Sequence, residues 1–109
     1  MIKGSIYTKK FSYSLSLEGK KLIFYTNSKE FKKGVELYIN ICEKFYRWEA
    51  KQTDEIMPYT FIDDEEGVIT VDSDKTELVH DIYKFIIRYI NAYKWQEMKE
   101  KENEEGGVV

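Results

Sequence analysis

The sequence FSYSLSL at residues 11–17 alternates strictly, with four apolar side chains on one face and three serines on the other. A period of two is typical of a β-strand that is buried on one side only. Residues 18–20 predict a turn into a second strand over residues 22–25, and residues 2–7 predict a further strand ahead of this hairpin. The chain is therefore predicted to begin with a hairpin that covers a core.

A long helix is predicted to follow the hairpin. Asn27 is the predicted N-cap, and Glu30 is its capping-box partner three residues later. The helical apolar period then continues to about Lys51. After a polar loop the same order returns, with strands over residues 59–63 and 68–72, a turn over residues 64–67, and a second helix capped by Asp74 with Glu77.

The two halves match each other at an offset of 47 residues. The offset superposes the two predicted caps and the triplets YRW (residues 46–48) and YKW (residues 93–95). Gly19 and Gly67 match at 48, which predicts one insertion in the second hairpin. Agreement of caps, apolar phase and an aromatic triplet indicates a duplicated ββα unit, although convergent amphipathic patterning would explain the apolar matches alone.

The predicted fold is α+β, with an antiparallel sheet of four or five strands, two long helices on one face, and the other face exposed. We expect a single domain over residues 1–109, with a first half of about 1–52 and a second of about 58–100. The apolar stripe is lost after Glu97, which predicts a fraying helix end and a mobile acidic tail over residues 101–109.

Composition and charge restrict the class of protein. The chain is 42% hydrophobic and 34% charged, which is typical of a folded domain, and its net charge is −3. Residues 1–51 carry a net +6 and residues 52–109 a net −9, so the chain is strongly dipolar. One cysteine predicts a reducing compartment, and the lack of a membrane span or signal sequence predicts a cytoplasmic protein.

Residues suited to catalysis are few. His80, the only histidine, is predicted to be solvated on the second helix, and Cys42 is in phase with core residues of the first. The acidic residues do not have the spacing of a calcium loop, and no phosphate-binding glycine loop is present. We therefore expect no catalytic residues, no metal, no cofactor and no enzymatic activity.

Two groups of residues are candidates for binding a partner. Trp95 falls outside the inward stripe of the second helix and beside Lys84, Arg88 and Asn91, a composition found at interface hot spots and base-stacking platforms. The opposing interpretation is that Trp95 folds back on the hairpin or on Trp48. The second group is the carboxylate cluster of the predicted turn: Asp63, Asp64, Glu65 and Glu66.

These features favour a non-enzymatic protein–protein interaction module. In its short, acidic, Lys/Glu/Tyr/Ile-rich composition the chain is similar to small phage-encoded anti-defence proteins such as anti-CRISPRs, which implies an inhibitor of a host defence protein. This similarity covers no defined segment and assigns no residues. A broad apolar helix face and an open sheet face also favour a two-fold homodimer.

The alternative function is single-stranded nucleic-acid binding by the N-terminal hairpin. Its basic and aromatic side chains suit phosphate contacts and base stacking, but the acidic second half argues against long-range attraction to nucleic acid. A hydrolase or transferase is a third, weaker alternative. The residues of the nucleic-acid hypothesis are Lys3, Lys9, Lys10, Lys20, Lys21, Tyr7, Tyr13 and Tyr25.

Overall fold

A five-stranded antiparallel sheet forms one layer of the protein and two long helices form the other. The computed structural model describes the backbone of residues 2–7 and 12–106 and the side chains of residues 12–95. The sheet order is β1-β2-β3-β5-β4. The elements are β1 (Ile2–Tyr7), β2 (Ser12–Glu18), β3 (Lys21–Thr26), α1 (Lys29–Gln52), β4 (Thr60–Glu65), β5 (Val68–Ser73) and α2 (Thr76–Gly106).

The core lies between the sheet and both helices. Alternation along β2, β3 and β5 places their apolar side chains on the helix side, and the helices cover them with residues spaced three and four apart. Within the described residues no helix covers the opposite face of the sheet, and Ile23 and Tyr25 are exposed there. The predicted α+β fold with both helices on one face is thus confirmed. The largest fully buried side chains include Phe24, Phe31, Leu22, Ile69, Leu78, Ile82 and Ile86.

The duplication appears as a pseudo-two-fold axis. At the offset of 47, β2, β3 and α1 correspond to β4, β5 and α2. The same offset makes the β3–β5 pair Leu22↔Val71 equivalent to the pair Phe24↔Ile69. The axis therefore passes through the self-equivalent pair Ile23↔Thr70. In the helix layer, Tyr38 and its equivalent Phe85 stack with ring centroids 4.1 Å apart. The axis thus relates the two halves in both layers.

Both hairpins have two-residue turns, so the predicted insertion is wrong. The registers Glu18↔Lys21 and Glu65↔Val68 match at the common offset of 47. Gly19 has a positive φ at the first turn position of one hairpin, whereas Glu66 and Gly67 both have positive φ in the other. These are the patterns of type II′ and type I′ turns, which demand glycine at different positions.

The predicted helix caps need correction. The N-cap of α1 is Ser28, whose hydroxyl accepts the Phe31 N–H, whereas the Asn27 side chain accepts the backbone N–H of Ser12 at 2.8 Å. Asn27 therefore ties the helix entry to β2. In the second half Asp74 forms an ion pair with Lys20, and α2 begins at Thr76.

The second helix is longer than its apolar stripe predicted. It continues beyond Glu97 to Gly106, because lysine and glutamate are good helix formers even without an apolar face. The predicted mobile tail includes residues 107–109, which lie outside the described residues. In the part of the chain whose side chains are described, neither helix has a stretch long and apolar enough to cross a membrane.

Candidate interaction surface

A stripe of large apolar side chains lies on the solvent side of α1. It consists of Leu37, Ile41, Phe45 and Trp48, which follow one another at spacings of four, four and three residues and therefore share one helix face. Each is between 50% and 62% exposed. The buried side chains of the same helix, among them Val35 and Ile39, lie on the sheet side. We call these four residues the apolar stripe.

The equivalent positions of α2 have a different chemistry. At the offset of 47, the apolar stripe corresponds to Lys84, Arg88, Ala92 and Trp95, all of which are exposed. Only the tryptophan is retained. The same helix phase that directs the apolar stripe away from the sheet also directs these residues outward. Because Tyr38 stacks on Phe85 and Tyr46 contacts Asp81, the two rows meet at Leu37 and Lys84 and extend from there toward opposite ends of the helix layer. We call the two rows together the outer helix surface.

The predicted site around Trp95 belongs to this surface. Trp95 is 61% exposed, as its helix phase predicted, and Lys84, Arg88 and Asn91 are also exposed. The helices run antiparallel, since Phe31 stacks on Tyr89 while Tyr46 near the end of α1 donates a hydrogen bond to Asp81. Trp48 and Trp95 consequently lie at opposite ends of the helix layer, which argues against the alternative interpretation that Trp95 folds back on Trp48.

Basic side chains border the apolar stripe along one side and at its Leu37 end. Lys84 and Arg88 lie on α2 beside the Leu37 end, whereas Tyr46, near the other end, faces Asp81. On the far side of α1, Lys33, Lys44 and Lys51 share a helix face next to the stripe and are exposed. A protein of net charge −3 thus presents basic side chains along one side and at one end of the apolar stripe.

The carboxylate cluster does not form the predicted hairpin turn. Asp63, Asp64 and Glu65 belong to β4, and only Glu66 lies in the turn. Strand alternation therefore separates the cluster, with Asp64 on the helix side and Asp63 and Glu65 on the open side of the sheet. The cluster thus lies on the edge strand β4 and its turn, whereas Trp95 lies on α2.

Asp64 forms a polar cluster with α1. Its carboxylate lies 2.9 Å from Lys32 Nζ and also contacts Glu36. The hydrogen bond from Lys32 lowers the pKa of Asp64, whereas the hydrogen bond with the Asp64 carboxylate, followed by burial, raises the pKa of Glu36. Glu36 and Asp64 line a cavity of about 210 Å³ between α1 and the sheet, together with Ile39, Asn40, Ile62 and Ile69. Both carboxyl groups are substantially solvated, which suits a local structural contact.

The two residues considered for catalysis are located as predicted. His80 is exposed. Cys42 is buried in the core, and burial raises the pKa of its thiol while a hydrogen bond with Tyr38 opposes that shift. Burial is also the main reason that the pKa of Tyr38 rises to about 12. Among residues 12–95, no group of three or more acidic, histidine or cysteine side chains has the arrangement of a metal site.

The residues proposed for nucleic-acid stacking are dispersed. Tyr13 is only 7% exposed and packs in the core, whereas Tyr25 is 40% exposed on the open face of the sheet. Tyr13 is therefore not available to stack on a base. Lys20 is held by Asp74. The side chains of Lys3, Tyr7, Lys9 and Lys10 lie outside the described residues.

No protein-family model, curated protein or solved structure matches this chain. The candidate site therefore rests on geometry. The sequence predicts a broad apolar face on the first helix, which includes Leu37, Ile41 and Trp48 and should pack against more than one surface. The structure leaves these residues exposed and adds Phe45 to them, because α2 covers only the side of α1 that carries Tyr38.

Proposed function

We propose that this protein is a non-enzymatic binding module that docks on a partner protein through the outer helix surface. The observation that carries the proposal is the apolar stripe, which exposes four large apolar side chains along one face of α1. Exposed apolar patches bordered by polar residues mark interaction sites, and tryptophan is enriched among the residues that dominate binding energy. The stripe spans about 16 Å of helix, long enough for three turns of a partner helix.

The partner's chemistry follows from the side chains that border the stripe. The lysines along one flank, and Lys84 with Arg88 at the Leu37 end, favour carboxylates at the rim of the partner's contact surface. Leu37 and Ile41 require apolar side chains beside those carboxylates. An amphipathic helix with an apolar ridge and an acidic flank meets both requirements, since such helices bind through apolar side chains spaced three and four residues apart.

We further propose that binding inhibits a larger host protein, as anti-CRISPRs and other small phage-encoded anti-defence proteins do. Support comes from the small size, the Lys/Glu/Tyr/Ile-rich composition and a contact surface that is broad rather than cleft-like. A cytoplasmic location agrees with the unpaired, buried thiol of Cys42.

The experiment compares two matched substitutions, Leu37→Lys and Ile56→Lys. Both replace an exposed apolar residue with lysine, and Ile56 lies in the loop before β4, where it is 94% exposed. Lysine is also the natural residue at the position equivalent to Leu37 in α2, so the fold accepts it there. Affinity capture from host lysate identifies a candidate, which is then purified and titrated against each variant by calorimetry.

We expect Leu37→Lys to weaken binding of the purified partner at least tenfold and Ile56→Lys to leave it unchanged. Circular dichroism should show that both variants remain folded. Equal binding by both variants would contradict the proposal, as would recovery of nucleic acid alone. Light scattering provides a further check, because a wild-type dimer that Leu37→Lys converts to a monomer would make the stripe a self-association surface instead.

A further inference from the structure

The two edges of the sheet are treated differently, although the pseudo-two-fold axis makes them equivalent. β2 corresponds to β4, and β1 runs antiparallel along the outer edge of β2 with pairs from Ile2↔Leu17 to Tyr7↔Ser12. β4 is the last strand of the described sheet on the other side. A six-residue antiparallel strand therefore occupies the β2 edge, while the equivalent β4 edge has no such strand among the described residues.

The backbone of β4 presents hydrogen-bonding groups at this edge. In a two-residue hairpin the residues flanking the turn, Glu65 and Val68, form a hydrogen-bonded pair, and such pairs alternate along the strands. Ile62 and Asp64 therefore direct their N–H and C=O groups away from β5. The hydrogen bond of Ser73 is consistent with this alternation, since the Ser73 N–H donates to the carbonyl oxygen of Lys20 on the β3 side and not to β4.

Side chains on the helix side of the sheet are more buried in β2 than at the equivalent positions of β4. Leu15 and Leu17 are buried in β2, where β1 adjoins them. Their equivalents in β4 are Ile62, which is half-buried, and Asp64, which is exposed. A strand added beside β4 would bury Ile62 to the extent seen for Leu15, and burial of apolar surface favours association.

Charge identifies the kind of strand that fits. Asp63 and Glu65 lie on the open side of the sheet, directly beside the positions that an added strand would occupy. Asp64, on the helix side, is already engaged by Lys32. Cross-strand pairs of opposite charge stabilise a sheet, whereas like charges destabilise it. An occupant should therefore have basic residues on the open side and apolar residues on the helix side.

We propose that β4 binds an extended segment of a partner protein in which lysine or arginine alternates with apolar residues, added antiparallel to complete a six-stranded sheet. Such strand addition is an established mode of peptide recognition. The surface is separate from the outer helix surface and does not depend on the function proposed above. A second copy paired through its own β4 is disfavoured, because it would bring two sets of Asp63, Asp64 and Glu65 together.

The test uses a fluorescein-labelled peptide of eight residues that alternates isoleucine and lysine. Isoleucine should lie on the helix side opposite Ile62, so its amide groups should face β4 while those of lysine face solvent. Two further peptides carry N-methyl groups, one on every isoleucine and one on every lysine. Because the methyl groups are on the peptide, the protein remains unchanged between the measurements.

We expect saturable binding by fluorescence anisotropy, with at least tenfold weaker binding when isoleucine is methylated and little change when lysine is methylated. Amide hydrogen exchange should slow at Ile62 and Asp64 in the presence of the peptide. The double substitution Asp63→Lys/Glu65→Lys should weaken binding at least tenfold, and Leu37→Lys should not affect it.

Equal binding of the two methylated peptides would overturn the proposal, since it would show attraction by charge without strand pairing. The same conclusion would follow if exchange at Ile62 and Asp64 were unaffected by bound peptide. A failure here with a positive result for the Leu37→Lys experiment would leave the outer helix surface as the site of partner binding.

Discussion

Gly34 lies in the interior of α1, where glycine is unfavourable because it leaves the unfolded backbone more freedom than alanine does. A methyl group at this position would meet the Tyr89 ring at 3.5 Å, an ordinary van der Waals distance. Gly34→Ala should therefore stabilise the protein by about 0.5–1 kcal/mol. Urea unfolding monitored by circular dichroism measures the difference.

Gly67 provides the matched substitution of opposite sign. It lies in the turn between β4 and β5 with φ of +84°, a conformation that alanine adopts only with strain. Gly67→Ala should destabilise the protein by about 1 kcal/mol. If both substitutions changed the free energy of unfolding in the same direction, the helical environment of Gly34 would not explain its effect.

The contact between α1 and β4 should make stability depend on pH through Glu36 and Asp64. A raised pKa for Glu36 means that its contribution is present below its unfolded pKa and is lost as pH rises through the folded pKa. The lowered pKa of Asp64 means that its contribution is present above its unfolded pKa and is lost as pH falls through the folded pKa. The contact is therefore strongest in mildly acidic solution, where Glu36 is protonated and Asp64 is ionised.

Glu36→Gln tests this interpretation, because glutamine donates a hydrogen bond to Asp64 at every pH. The wild-type protein should lose stability relative to Glu36→Gln as pH rises from about 4.5 to 7. Urea unfolding at the two pH values gives the comparison. In an Asp64→Asn background most of the pH dependence of this difference should disappear, and its persistence there would assign the effect to burial of Glu36, because the neighbouring lysines lower its pKa.

Element types were predictable from the sequence, whereas the surfaces between elements were not. Strict alternation in β2 and the helical period in α1 are local signals, and both elements lie within about two residues of their predicted bounds. The cap of α1 was misplaced because Asn27 and Ser28 are both good capping residues, and only the contact of Asn27 with Ser12 decides between them. The apolar stripe was missed as a surface because helix phase shows which residues share a face but not which faces another element covers.

Duplication allows one half of the molecule to serve as a reference for the other. Both halves keep apolar residues at most positions that build the core, while outward positions diverge, as Leu37 and Lys84 show. Around the axis, β3 pairs with β5 and α1 packs on α2, so the main contacts across the axis join the two halves. Each half alone has about 50 residues, near the size below which a hydrophobic core is marginal. We infer that neither half is stable without the other.

This coupling predicts that a destabilising substitution in one half lowers the stability of both halves equally. Ile82 is fully buried in α2, and Ile82→Val should lower the free energy of unfolding by about 1 kcal/mol. The amides of β3 and β5 that exchange most slowly should then lose the same protection, because they open only when the whole molecule unfolds. Native-state hydrogen exchange by NMR resolves the two strands separately. Loss of protection confined to β5 and α2 would show that the halves unfold independently, and that the shared sheet joins two units which each fold alone.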